Sequence, residues 1–299
     1  MNSQKLKFAL FFVVTVLATG FSAIYQTSSA QTSISELIGR TDFHGISVDP
    51  KDSSRIYLAT HNGLFVVAPD GKAERASELS ADFMGFTPHP SDPATIYASG
   101  HPSGGGNLGI IASNDKGKTW KKIGDGVGGP VDFHQMDVSK ADPNVMIGNS
   151  RGLQISKDGG RSWKMVGPAP DGTIDIAASG KDADTIYAAT QGGIVRSVDG
   201  GNSWKIAHLL KRTATMIDVA SDGKLYAFQI GTGLIRTSEN AMDWRLVSND
   251  LGNEFILHFT IDPSNQKNMY AVTFNQQTRG LSIIASSDGG VTWKTLGKE

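Results

Sequence analysis

The stretch Ser113-Asn114-Asp115-Lys116-Gly117-Lys118-Thr119-Trp120 returns four more times along the chain, as SKDGGRSW (156–163), SVDGGNSW (197–204), TSENAMDW (237–244) and SSDGGVTW (286–293). These strings contain all 5 tryptophans of the 299-residue sequence, and Trp120, Trp163, Trp204, Trp244 and Trp293 stand 43, 41, 40 and 49 residues apart. A period of roughly 40 to 50 residues is the length of one four-stranded blade of a β-propeller. Within each string the chemistry is that of a tight turn. The carboxylates of Asp115, Asp158, Asp199 and Asp288 can accept backbone N–H groups, the glycines permit positive φ, and the tryptophan offers a large apolar face to bury. The fourth string carries Glu239 for Asp and Ala241 for Gly, so a looser turn is expected there.

A second periodic element precedes each turn: RIYLAT, TIYASG, VMIGNS, TIYAAT, KLYAFQ and NMYAVT. Before these stand DFHGISV, DFMGFTP, DFHQMDV, TIDIAAS, TMIDVAS and ILHFTID, read as opening strands. The count is therefore six units, the first turning through Pro69-Asp70-Gly71 in place of a full string. The expected fold is all-β, a six-bladed β-propeller over 42–299 with residues 31–41 at the ring closure and no long helix.

The N-terminus reads as a Sec-type export signal. Lys5 and Lys7 precede the apolar run Phe8 to Phe21, and Ser28-Ser29-Ala30 offers a small-residue cleavage site, so 1–30 is assigned as signal peptide. The stretch Phe8 to Tyr25 is also about as long as the ~17 residues that just span a bilayer, which leaves an uncleaved anchor as the only membrane contact. The expected location is periplasmic or extracellular. The 28 basic residues less Lys5 and Lys7 leave 26 against 29 acidic ones, a net charge of −3, with no basic stripe to hold nucleic acid. With 0 cysteines, there is no disulfide, thiolate metal site or cysteine nucleophile.

The repeated turns resemble the Asp boxes, or BNR repeats, of sialidases, sortilin-type receptors and photosystem assembly propellers. DFHG, DFMGF, GHP with GGNLG, and GPVDFHQM are also similar to segments of secreted bacterial Asp-box proteins labelled glycosyl hydrolases. That label follows the fold and says little of chemistry. Sialidases use a tyrosine nucleophile, an aspartate acid/base and three arginines that clamp a carboxylate. Here Tyr57, Tyr97, Tyr187, Tyr226 and Tyr270 all occupy the repeated second-strand position, leaving only Tyr25 in the signal region, and no Arg-Ile-Pro string occurs. Sialidase activity is not expected.

Subtracting the repeat leaves the histidines. His44, His61, His89, His101 and His134, five of 7, fall in the first three units. His44, Met84 and His134 share one position in the opening strands, two residues after Asp42, Asp82 and Asp132; continuing the alignment, to within one residue, gives Asp175, Asp218 and the Leu257/His258 pair. In a propeller, opening strands line the channel, and the turns between second and third strands rise where those strands begin. Asp42, His44, His61, Asp82, Met84, His101, Asp132 and His134 are thus candidates for one channel mouth, beside Gly104, Gly105 and Gly106. His89 is placed on the other face.

Three chemistries suit such a mouth. The first is binding of a glycan, a small ligand or an envelope protein. The second is glycoside hydrolysis or lysis with two of Asp42, Asp82 and Asp132 as acid and base, which requires carboxylates roughly 5 to 9.5 Å apart. The third is a divalent metal held by His44, His101 and His134: copper if Met84 or Met136 contributes a thioether, zinc or a similar ion if carboxylates do.

Overall fold

The computed structural model describes residues 32–297 apart from 50 and 250, so the expected signal segment 1–30 lies outside the described residues. Six antiparallel sheets follow one another along the chain. In the first, the inner strand Phe43–Asp49 pairs with Asp52–Thr60, then Gly63–Val67, then Lys72–Arg75, with the short Thr32–Ser33 added outside. The second runs Ala81–Pro88, Ile96–Pro102, Ile110–Ser113 and Lys121–Gly124, and the other four repeat that order. Their inner strands are Gln135–Val138, Thr173–Ala178, Ala214–Val219 and Glu254–Ile261. Each inner strand lies against the next, and the sixth against the first, which makes a closed six-bladed propeller around a channel.

Among the described residues no strand is exchanged at the closure. The helix Ile34–Ile38, started by a reciprocal Ser33/Glu36 capping box, sets Ile34 and Leu37 into a cluster that also holds Val48, Ile56, Val272 and Ile283. The other five clusters are likewise shared between neighbouring sheets, as in the packing of Leu64 and Val66 on Phe83 and Ile111. The Asp-Phe pairs explain part of this. Phe83 and Phe133 are fully buried and lie 5.0 and 4.8 Å from the rings of Trp120 and Trp163. With the phenylalanine driven inward, the residues on either side of it alternate toward the channel and its mouth. Among the described residues no helix is long and apolar enough to cross a membrane.

The repeated turns close as their residues dictate. Asp115 accepts Thr119 N at 2.8 Å, Thr119 Oγ1 at 2.5 Å and Ser113 Oγ at 2.7 Å, and Trp120 Nε1 donates to Gly117 O at 2.9 Å. Asp158, Asp199 and Asp288 repeat the pattern. The hydroxyl and amide donors of Thr119, Ser162, Ser203 and Thr292 hold the four carboxyls down at about 2.

The fourth string departs from this in a way the sequence does not show. Glu239 is buried and reaches out of its own turn to the preceding sheet, accepting Ser179 Oγ at 2.7 Å and Gly180 N at 3.0 Å. Trp244 Nε1 donates to Ala207 O at 2.8 Å instead of to its own turn, and Met242 adopts φ 48. The expected loosening is thus a rewiring, in which the extra methylene of glutamate exchanges a local contact for one between blades.

Candidate functional site

Asp82 is the centre of the channel mouth. It sits on the inner strand of the second sheet directly opposite His101, and its side chain is only 6% exposed. The two strands can approach there because residue 100 is glycine. Its φ is +117, and a Cβ would lie 2.0 Å from the Asp82 carbonyl oxygen. His101 Nε2 stands 3.3 Å from Asp82 Oδ2.

The first sheet supplies two more imidazoles. His44 occupies a bulge between Phe43 and Gly45, which re-aims its side chain, and Nε2 lies 3.3 Å from Asp82 Oδ1. His61 is in the turn between Thr60 and Gly63, fixed by His61 N donating to Asp42 O at 3.1 Å and Asn62 N to Thr60 Oγ1 at 3.1 Å. Its Nδ1 is 2.8 Å from Asp82 Oδ2. The rings of His44 and His61 are 6.1 Å apart, those of His61 and His101 5.9 Å. Gly45 lets the first two sheets close on this point, since a Cβ there would meet Phe86 at 2.9 Å.

One donor atom from each of His44, His61 and Asp82 lies within 4.8 Å of the others, so the three can hold a divalent metal ion. The hydrogen bonding is compatible with that use. His44 Nε2 and Asp82 Oδ1 are both buried and, although 3.3 Å apart, make no hydrogen bond with each other or with any other group. Two facing orphan donor atoms are costly to bury, and a shared cation relieves both. Burial lowers the His44 pKa, against the pull of Asp82 and with the help of His61, which favours the neutral imidazole that a metal requires.

The donors differ from the set expected from sequence. His44 belongs to it, His101 stands beside it on the same carboxylate, and His134 does not join it. His134 Nε2 is 3.4 Å from Asp132 Oδ2 in the third sheet's entry. Met136 is buried in the cluster between the second and third sheets, and Met84, also buried, stands opposite Ser99. Asp42 is exposed and faces the group mainly through its carbonyl to His61. His89 lies at the other end of the second sheet, in the turn after the inner strand, with Nδ1 accepting Asp92 N at 2.9 Å.

The strand register corrects the aligned position of Asp218 and keeps Asp175 within one residue of its expected level. Asp218 stands opposite Tyr226 as Ser47 does opposite Tyr57, three residues farther into the channel than His44, and Asp175, opposite Ala189, is one residue farther in. The inner strands of the first, fourth and fifth sheets carry the same bulge, after Phe43, Thr173 and Ala214, so the shift lies in aligning the opening strands without their second-strand partners. These carboxylates tie blades together: Asp137 Oδ2 accepts Ala178 N at 2.8 Å and Asp175 Oδ2 accepts Ile217 N at 3.0 Å. Burial pushes the Asp175 carboxyl up to about 7, helped by Asp218 and Asp137 and opposed by its backbone donors. Burial also raises Asp218, while Lys140, against the effect of its own burial, is held above the ordinary lysine value by Asp137, Asp218 and Glu239.

His258, left ambiguous in sequence, is close enough to sense His44. Burial holds its pKa down at about 4, and Nε2 lies 2.9 Å from Phe43 O, across the seam between the sixth and first sheets. A neutral imidazole donating to Phe43 O braces the residue beside His44.

No family model matches the chain, and no curated protein matches it. Among solved structures the fold is similar to a GH74 xyloglucanase from Xanthomonas campestris, with 18% identity and TM-score 0.57 over 89% of this chain and 46% of the other. It is also similar to a Niastella koreensis GH74 enzyme, with 17% identity and TM-score 0.57 over 85% and 45%. The chain spans less than half of these two enzymes. YCF48 bound to D1 peptide matches with 14% identity and TM-score 0.53 over 86% and 82%. These likenesses establish the propeller fold.

Proposed function

We propose that this chain is an exported binding propeller of the Asp-box kind, whose channel mouth carries a divalent metal, of the zinc type, and captures a ligand or an envelope partner there. The observation that carries the reading is the pair of buried orphan donors, His44 Nε2 and Asp82 Oδ1, with His61 completing the set. Imidazole and carboxylate without thioether are the donors of zinc and similar ions. His101 faces the same carboxylate, with Nε2 at 3.3 Å from Asp82 Oδ2, and borders the three converging donors. The His44 to Asp82 contact also joins the first blade to the second, so a bound ion would stiffen the mouth as well as present a coordination position. Export rests on the Lys5/Lys7, apolar run and Ser28-Ser29-Ala30 pattern. YCF48, a propeller of similar fold, is seen with a peptide, which is in keeping with partner recognition on such a ring.

Glycoside hydrolysis is less well supported. The oxygens of Asp82 are faced by three imidazoles, leaving it poorly placed to exchange a proton with a glycosidic oxygen. Tyr57, Tyr97, Tyr187, Tyr226 and Tyr270 are all held in second strands, so none is offered as a sialidase nucleophile.

The test is elemental analysis and zinc titration of protein purified without chelators. One equivalent of a divalent transition metal per chain is expected, lost in the His44→Ala, His61→Ala double variant and retained in His134→Ala. A folded protein that binds no such ion, or a double variant that still does, overturns the metal reading.

A further inference from the structure

Beside the imidazole group, Asp132 and His134 open onto a second feature, a polar cleft of about 410 Å³ that Asn149, Ser150 and Arg151 also line. That volume lies within the ~300 to 1,000 Å³ usual for small-molecule sites. Its chemistry is unlike that of the metal group, because it presents one fixed negative and one fixed positive charge. Asp132 is 16% exposed, and its Oδ1 is buried without a hydrogen-bond partner while Oδ2 faces His134. Arg151 is exposed at the tip of the turn between the second and third strands of the third sheet. Its backbone is held at φ 55, with Ser150 N donating to Gly152 O at 3.1 Å. Among the described residues its guanidinium has no ion-pair partner. Asn149 Nδ2 donates to Gln135 Oε1 at 3.1 Å, so these two lining amides brace each other.

A sugar ring is usually received on an aromatic face, and the lining contains none beyond the imidazole of His134. An anion alone would leave the Asp132 carboxylate repelling it, and a cation alone would leave Arg151 doing the same. A small zwitterion satisfies both. We propose that this cleft binds a free α-amino acid, its ammonium group donating to the exposed oxygen of the Asp132 carboxylate, Oδ2, beside His134, and its carboxylate received by the Arg151 guanidinium. A planar guanidinium accepts a carboxylate through two parallel hydrogen bonds, which fixes the orientation of the bound molecule. The small apolar share of the lining selects for short or polar side chains. The proposal builds on the mouth as a binding surface and does not require the metal.

Calorimetric titration of the full-length protein with L-alanine, L-serine and L-glutamate tests it, with propionate and ethylamine as alanine lacking one charge, and xylose as a sugar. At least one amino acid is expected to bind, with propionate and ethylamine each about tenfold or more weaker than alanine, and xylose silent. Arg151→Met, an exposed substitution whose melting temperature should match the parent, is expected to weaken amino-acid binding about tenfold or more. Absence of binding by all three amino acids, equal binding of propionate or ethylamine, binding of xylose alone, or an unaffected Arg151→Met variant overturns the proposal. A parallel zinc titration separates the two readings: zinc uptake without amino-acid binding removes this inference alone.

Discussion

Glu239 of the fifth blade accepts a hydrogen bond from Ser179 Oγ of the fourth at 2.7 Å, although its place in the repeat is that of a residue which staples its own turn. The carboxylate also lies near Lys140, whose charge it helps to maintain. Glu239→Ala is expected to destabilise by ~1 to 3 kcal/mol, because Ser179 Oγ and Gly180 N lose a buried acceptor. Ser179→Ala should then cost clearly less in the Glu239→Ala background than in the parent. Urea denaturation of the four proteins of this cycle measures the coupling; additive losses would show that the contact contributes nothing.

Asp175 gives the ring a pH dependence of definite sign. Its folded pKa, about 7, lies above the ordinary aspartate value of 3.8. Between the two the native state holds a proton that the unfolded chain has released, so this group's contribution to stability falls as pH rises from about 4 through about 7. Asp175→Asn cannot ionise and should flatten that part of the profile, gaining on the parent as pH is raised from 5 to 8. Denaturation midpoints at pH 5, 6, 7 and 8 provide the test, and parallel profiles would contradict it.

Gly100→Ala should affect both architecture and site. The left-handed φ and the 2.0 Å approach to Asp82 O leave no place for a methyl group, so the strand pair that sets His101 opposite Asp82 must shift. A lowered melting temperature is expected together with weaker zinc binding. Zinc affinity equal to the parent's would show that the site tolerates the displacement.

Trp204→Ala should do the opposite, lowering stability by ~3 to 5 kcal/mol while the folded fraction retains its metal and ligand affinities. The tryptophan packs between the third and fourth sheets, with Nε1 donating to Gly201 O at 3.1 Å, at the end of the blade away from the mouth. Thermal melts combined with zinc titration distinguish the effects.

The parts of this molecule legible in sequence are those settled within a few residues. The turns at Asp115, Asp158, Asp199 and Asp288 close on donors no more than four residues away, and the tyrosines mark the second strands by simple repetition. The blade number and the gathering of His44, His61, Asp82 and His101 at one mouth follow from those landmarks and the strand order. What could not be read depends on register or on distant partners. The opening strands share no residue type in all six blades, so without their pairing to the second strands Asp218 was set too near the mouth, although the first, fourth and fifth inner strands carry the same bulge. His134 shares its sequence position with His44, yet it pairs with Asp132 in its own blade. Glu239 looked like a weakened Asp because its partner, Ser179, is sixty residues earlier in the chain.

Every one of the six hydrophobic clusters belongs to two neighbouring sheets. A single sheet of this protein therefore owns half of two cores and the whole of none, and the number of cores equals the number of sheets only when the circle is complete. Copy number is in this sense a condition of solubility. A chain that lost one sheet by deletion would bare two apolar faces, and would have to tighten its curvature to reclose or join those faces to another molecule. Selection against aggregation would then keep the blade count constant even while the chemistry at the mouth changed.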